Sequence, residues 1–127
     1  MSKDHRRIVA VHEAGHWLAA REYAARGVQA TLTTTPRGGA RGITTLRRWR
    51  GSDLQFVAYT LAGATAARLI TGDAGLHGSD DLQVARTVCR NIHADISDAE
   101  HLAATLVRTH RRHIERAARQ LYDTGRI

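Results

Sequence analysis

The chain is poor in several things that would point to other chemistries. Cys89 is the one cysteine in 127 residues, so no internal disulfide can form and no thiolate cluster is available to hold a metal. Any bound metal must therefore use histidine and carboxylate. No run of eighteen apolar residues occurs, and Met1-Ser2-Lys3-Asp4-His5-Arg6 lacks the apolar stretch of a secretory signal. The expectation is a soluble, cytoplasmic protein with no membrane segment. Repeats, low-complexity tracts and linkers are also missing. Lysine is nearly so: Lys3 is the only one among 19 Lys+Arg, set against 12 Asp+Glu for a formal net charge of +7. Such a charge permits an acidic partner. It is spread along the whole chain, however, and arginine-rich, alanine-rich composition also follows from codon bias. The basic segment Arg47-Arg48-Trp49-Arg50 is read as a solvated loop in preference to a nucleic-acid contact.

With 127 residues, 43% of them hydrophobic, the chain suits one domain, 1–127, around one core. What stands out within it is His12-Glu13-Ala14-Gly15-His16. Two histidines four positions apart on a helix lie about 40° apart around the axis and one turn apart along it, so both rings can reach one ion. Zinc suits neutral imidazole. Glu13 then points beside the metal, where it can take a proton from an activated water and return it to a leaving amine. With eight histidines and four glutamates, chance would place this pattern in about one or two of a hundred such sequences. The alternative is a polar surface helix. Against it stand Ile8, Val11, Ala14, Trp17, Leu18 and Ala19, which make the helix apolar and leave a carboxylate and two imidazoles in need of partners.

The surrounding pattern is mainly helical. A first helix is expected from about Asp4 to Ala25, closed by Gly27. Gly15 inside it costs about 1 kcal/mol relative to alanine, a sign that another segment passes close by. Val28, Ala30, Leu32 and Thr34 alternate as in a strand. A Pro36-Arg37-Gly38-Gly39 turn leads to a second strand from Arg41 to Leu46. Ser52-Asp53-Leu54-Gln55 reads as a capping box opening a helix to Thr71. At its centre Ala62-Gly63-Ala64-Thr65-Ala66-Ala67 is small enough to admit a neighbouring helix, which is packing and not chemistry. Gly72 to Gly78 reads as a loop, with Ser79 capping a third helix to about His93. A second capping box, Ser97-x-x-Glu100, opens a long last helix to Tyr122. Its apolar stripe of Leu102, Leu106, Ile114, Ala117 and Leu121 leaves the arginines on the solvated side. The fold class is thus α+β and mainly helical, with about four helices, a small two- or three-stranded sheet, and a zincin-like His-Glu-x-x-His helix.

A catalytic zinc has three protein ligands and one open position. Extending the motif by x-x-Gly-x-x-His fails, because those places hold Ala19 and Glu22, and an unbroken helix turns Glu22 away. Asp73, His77, Asp80, Asp81 and His93 remain. Asp81 shares a helical face with Val84, Ala85, Val88 and Ile92, while Asp80 lies with Gln83, Thr87 and Asn91. Asp81 therefore points inward. An acid in the first turn also complements the helix dipole without any metal. His110, on the apolar face of the last helix, reads as a core histidine.

Taken in order, His12-Glu13-Ala14-Gly15-His16, Pro36 through Thr44, Leu61-Ala62-Gly63, Thr71-Gly72 and Gly78-Ser79-Asp80-Asp81-Leu82-Gln83-Val84-Ala85 resemble the peptidase domain of FtsH-type ATP-dependent zinc metallopeptidases. The last helix, through Arg116-Ala117-Ala118-Arg119-Gln120-Leu121, is similar to the end of that domain. The resemblance implies one zinc per chain on His12, His16 and Asp81, and Glu13 as the base. It also implies a second strand whose edge pairs with an extended polypeptide substrate. That family joins the domain to a membrane anchor and an AAA+ ATPase that assembles a hexamer. These 127 residues contain neither, so the expectation is a stand-alone endopeptidase acting on unfolded or flexible polypeptides. Its further partners would be a separate AAA+ ATPase or copies of itself. The sequence departs from the family around Ala66-Ala67-Arg68, where a glutamate is usual, and in a shorter connection before the last helix. From a different class, the chain could be a zinc-binding regulatory or interaction module that is not itself proteolytic.

Overall fold

The computed structural model describes residues 2–73 and 78–127. The order of elements is α1 (Ser2–Glu22), β1 (Gln29–Thr34), β2 (Ala40–Thr45), α2 (Asp53–Thr71), α3 (Gly78–Ile92), α4 (Ile96–Thr109) and α5 (Arg111–Thr124). Among the described residues the chain is mainly helical, with one small antiparallel sheet of two strands, order β1-β2. His77, loop residues 74–77 and the capping side chain of Ser79 lie outside the described part.

Helix α1 is the centre of the molecule. Every residue from Val9 to Ala20 is buried, as a helix apolar on all sides requires. It packs on α2, α5 and both strands. It stops at Glu22, earlier than expected, because Ala24 already takes a left-handed conformation (φ 62°) ahead of Gly27 (φ 67°).

Gly15 marks the crossing with α2. A Cβ there would lie 2.6 Å from the Ala62 carbonyl oxygen and 2.7 Å from the Ala66 Cβ. The small residues of α2 are what permit this approach. Gly15→Ala is expected to destabilise the fold by about 1–3 kcal/mol, since backbone cannot yield as a side chain does. That loss outweighs the roughly 1 kcal/mol by which alanine favours a helix. Urea denaturation would measure it, and an equal or more stable variant would refute the close crossing.

The sheet lies across one side of α1. Ala30, Leu32 and Ala40 face the core, whereas Arg41, Ile43 and Thr45 are exposed. The register pairs Leu32 with Gly42 and Ala30 with Thr44. The outer edge of β1 is covered by the chain's own last residues: Ala30 N–H donates to the Ile127 carbonyl (3.1 Å), Ile127 N–H donates back to Ala30 (3.0 Å), and Leu32 N–H donates to Gly125 (2.8 Å).

The Ser52 box forms as expected, with Gln55 N–H donating to Ser52 Oγ (3.1 Å) and Ser52 N–H donating to Gln55 Oε1 (3.0 Å). The second box does not. Asp95 caps α4 instead, accepting from Ser97 N–H at 2.9 Å. One long last helix was expected, yet the chain turns at His110 (φ −109°, ψ 20°) and makes five helices among the described residues. The turn lets α4 pack on α2 and α5 on α1, an advantage of tertiary origin with no glycine or proline to announce it. His110 is no core histidine: it is half-buried, with Nε2 2.8 Å from Glu22 Oε1. Trp49, in the basic segment, has its ring against Tyr23, Phe56 and Tyr59. It is therefore engaged within the fold.

Candidate metal centre

The helical spacing of His12 and His16 turns both imidazoles to the α2 and α3 side of α1, with Nε2 atoms 3.0 Å apart. Asp81, in the first turn of α3, completes a triangle: its Oδ2 lies 3.2 Å from His12 Nε2 and 3.1 Å from His16 Nε2. Both histidines are buried and Asp81 is half-buried. Among the described residues this is the one group of three or more His, Cys, Asp or Glu placed to share an ion. Asp80 is exposed on α3, His93 is exposed just beyond its end, and Asp73 is exposed just beyond α2. Tertiary placement brings to the histidines the same acid that helical phase did, although Val84, read on that inward face, is 47% exposed while Ala85 is buried.

The hydrogen bonding fixes how the triangle is charged. His16 Nδ1 is 2.9 Å from the Tyr59 carbonyl oxygen. A carbonyl only accepts, so Nδ1 carries the proton. In neutral His16 the other nitrogen, Nε2, is then a bare lone pair facing His12 Nε2 and a carboxylate oxygen. That lone pair can meet a cation shared with the Asp81 oxygen, or take up a proton and donate it to Asp81. Burial alone would lower the pKa of His16, but hydrogen bonding and charge from Asp81, then Glu13 and the Tyr59 carbonyl, raise it. For Asp81 burial works upward, yet hydrogen bonds and charge from His12 and His16 hold its carboxyl far below the usual carboxylate range. The Tyr59 hydroxyl is pushed up to about 12 by burial and then by the charges of Glu13 and Asp81. The surroundings are therefore electronegative, and among the described residues no arginine or lysine pairs with either acid.

The donor set fits zinc. Ligands about 2.0–2.2 Å from a tetrahedral ion stand about 3.3–3.6 Å from one another. The three observed separations, 3.0, 3.1 and 3.2 Å, are a few tenths shorter. Two imidazoles and one carboxylate are also a ligand combination that zinc favours in sites with an open position.

Glu13 points from α1 toward β2 and not into the triangle. Its Oε1 accepts the Thr44 hydroxyl at 2.8 Å, and its side chain is 7% exposed with its residue. Room for it comes from Gly42, where a Cβ would collide with Glu13 Cγ and lie 3.0 Å from Oε2.

The sequence reading gave no site role to four contributors: Gly42 and Thr44 beside Glu13 and Gly63 beside the histidines, all three within motifs that carry the resemblance, and the Tyr59 carbonyl behind His16, which was not singled out at all. A Cβ on Gly63 would run into His16 Nε2 and lie 2.8 Å from His12 Nε2. The small stretch of α2 was read as packing alone, and it is packing at Ala62 and Ala66. At Gly63 it is also the wall of the centre. The resemblance at Leu61-Ala62-Gly63 marks the place in the sequence, but that this glycine lies against the imidazoles is settled only by the crossing of α1 and α2.

No protein-family model matches the chain, and no curated protein matches it either.

Proposed function

We propose that the chain is a zinc-dependent endopeptidase built on a zincin-like helix, of the kind that FtsH-type peptidase domains represent. The observation that carries this reading is the convergence of His12, His16 and Asp81 on one point from two helices, with Glu13 held beside them by β2. His12, His16 and Asp81 would hold one Zn2+ per chain. Bound there, the ion supplies Lewis acidity and brings the pKa of a water down toward 7.

The chain's own residues account for the rest. With Oε1 occupied by the Thr44 hydroxyl, Oε2 of Glu13 is the atom that accepts a proton as the water oxygen attacks the peptide carbonyl carbon. The same atom returns the proton to the amine nitrogen when the C–N bond breaks. Placement of the substrate falls to β2. Ala30 and Leu32 spend their backbone groups on the C-terminal residues, so in this register Gly42 and Thr44 direct theirs away from β1. An extended polypeptide can add to that edge by main-chain pairing, which favours flexible substrates and broad specificity. No helix among the described residues is long and apolar enough to cross a membrane.

The test is metal content and cleavage of casein by the isolated chain. One zinc per chain is expected, with cleavage lost on treatment with a chelator and restored by adding zinc back. Zinc without cleavage would instead support the regulatory or interaction module, acting with a separate partner such as an AAA+ ATPase. Failure to bind zinc would remove both.

A further inference from the structure

The side of α1 that faces away from the metal centre borders a second concavity. At 100° per residue, Arg7, Ala10 and Val11 lie on the opposite face of the helix from His12 and His16. Together with Ile70 at the end of α2 and one face of α5, they border an open surface cavity of about 620 Å³. Its apolar lining includes Ala10, Val11, Ile70, Ala118 and Tyr122, and four arginines, Arg7, Arg112, Arg116 and Arg119, also border it. The last three were expected to be solvated, and all three are exposed at the mouth of this cavity.

The charge at this cavity is not balanced from within. Of its two acids, Glu115 is held at 2.7 Å by Arg111, outside the lining, and Asp123 lies 3.9 Å from Arg119. Among the described residues, Arg7, Arg112 and Arg116 have no carboxylate within ion-pair distance. Three guanidiniums bordering one cavity offer donors and no acceptors. Their complement is a group that only accepts, a carboxylate or a phosphate, and planar guanidinium suits both. The walls are helices, whose backbone groups are already paired, so the site presents nothing to a polypeptide main chain. The volume falls in the range of small-molecule sites, in which an apolar lining holds the body and a few polar groups fix its orientation.

We infer that this cavity binds a small amphipathic anion, an apolar body carrying one carboxylate or phosphate group, with the body over Ile70 and Tyr122 and the anion among Arg7, Arg112 and Arg116. The test is a titration of the full chain, followed by amide NMR shifts at Ala10, Ile70, Ala118 and Tyr122, with decanoate, decyl phosphate, decanol and inorganic phosphate. Saturable shifts are expected with one or both of the decyl anions, and the tighter of the two identifies the head group. Arg112→Gln/Arg116→Gln should weaken that binding about tenfold or more, with helicity by circular dichroism checked in the same samples. Arg7→Gln, on a different helix, should weaken it too and serves if the double variant does not fold. The inference is overturned if decanol binds as well as the anions, or if affinity survives loss of the arginines. Equal affinity for inorganic phosphate alone, no saturable shift, or binding only of an acidic helical peptide would overturn it as well.

Discussion

Glu13→Gln is expected to leave zinc bound and to lower peptide cleavage by about 10²- to 10⁴-fold, the usual contribution of a positioned general base. The substitution is nearly isosteric, and the amide oxygen of glutamine can still accept the Thr44 hydroxyl that now reaches Glu13 Oε1 at 2.8 Å. What it cannot do is take a proton at Oε2. Zinc content should be unchanged, since Glu13 does not belong to the His12, His16 and Asp81 triangle. Stability should be equal or slightly greater, because a charge buried at 7% exposure without an arginine or lysine partner is replaced by a neutral amide. Rates of casein cleavage at matched zinc loading measure the effect. Undiminished turnover by a fully loaded variant would sink the mechanism while leaving the metal centre in place.

Gly63→Ala should separate binding from folding in the opposite way. The new Cβ would run into His16 Nε2 and approach His12 Nε2 to 2.8 Å, so one or both imidazoles must move. Side-chain ends can move where backbone cannot. The fold should therefore survive, and the apo protein gains up to about 1 kcal/mol from alanine in place of glycine within a helix. The triangle, however, cannot be kept. Loss of ligand orientation of this kind costs about 10- to 100-fold in metal affinity even when the ligands themselves are retained, and displacement of the rings places this variant at the upper end. Competition against a chromogenic chelator gives the affinity, and thermal denaturation with and without zinc gives the stability. The expected outcome is an apo form at least as stable as wild type, with the extra stability from zinc lost. Wild-type affinity in Gly63→Ala would mean that the ion does not sit between the histidines and α2.

The two substitutions differ in how visible their reasons are beforehand. Glu13 is conspicuous from its neighbours in sequence, because the four-residue interval between His12 and His16 is converted to shared direction by helix geometry alone. Gly63 has no such local signature. Its role exists only because α1 crosses α2 where Gly15 meets Ala62 and Ala66, which brings the imidazoles over that glycine. Thr44 is similar, an ordinary strand threonine until β2 is laid across α1. Asp81 stands between these cases. Its inward phase could be read from the helix that carries it, but the dipole of α3 would explain an acid there equally well. Only the packing of α3 on α2, which carries the Asp81 side chain to a histidine 65 residues away in the chain, puts its carboxylate 3.1 Å from His16.

By itself the sequence determined what depends on neighbours along the chain. This includes the mainly helical character, the Ser52 capping box, the strand alternation, and the pairing of two histidines with an adjacent glutamate on one helix. Local backbone geometry and short-range hydrogen bonds suffice for each of these. Tertiary structure decided the break at His110, the covering of the β1 edge by the last residues, the choice of Asp81, and the placing of Arg7, Arg112 and Arg116 at one cavity. Each of these depends on which surfaces of distant segments meet. That is settled by close packing of the whole core around α1, where a glycine or a turn matters through what lies against it.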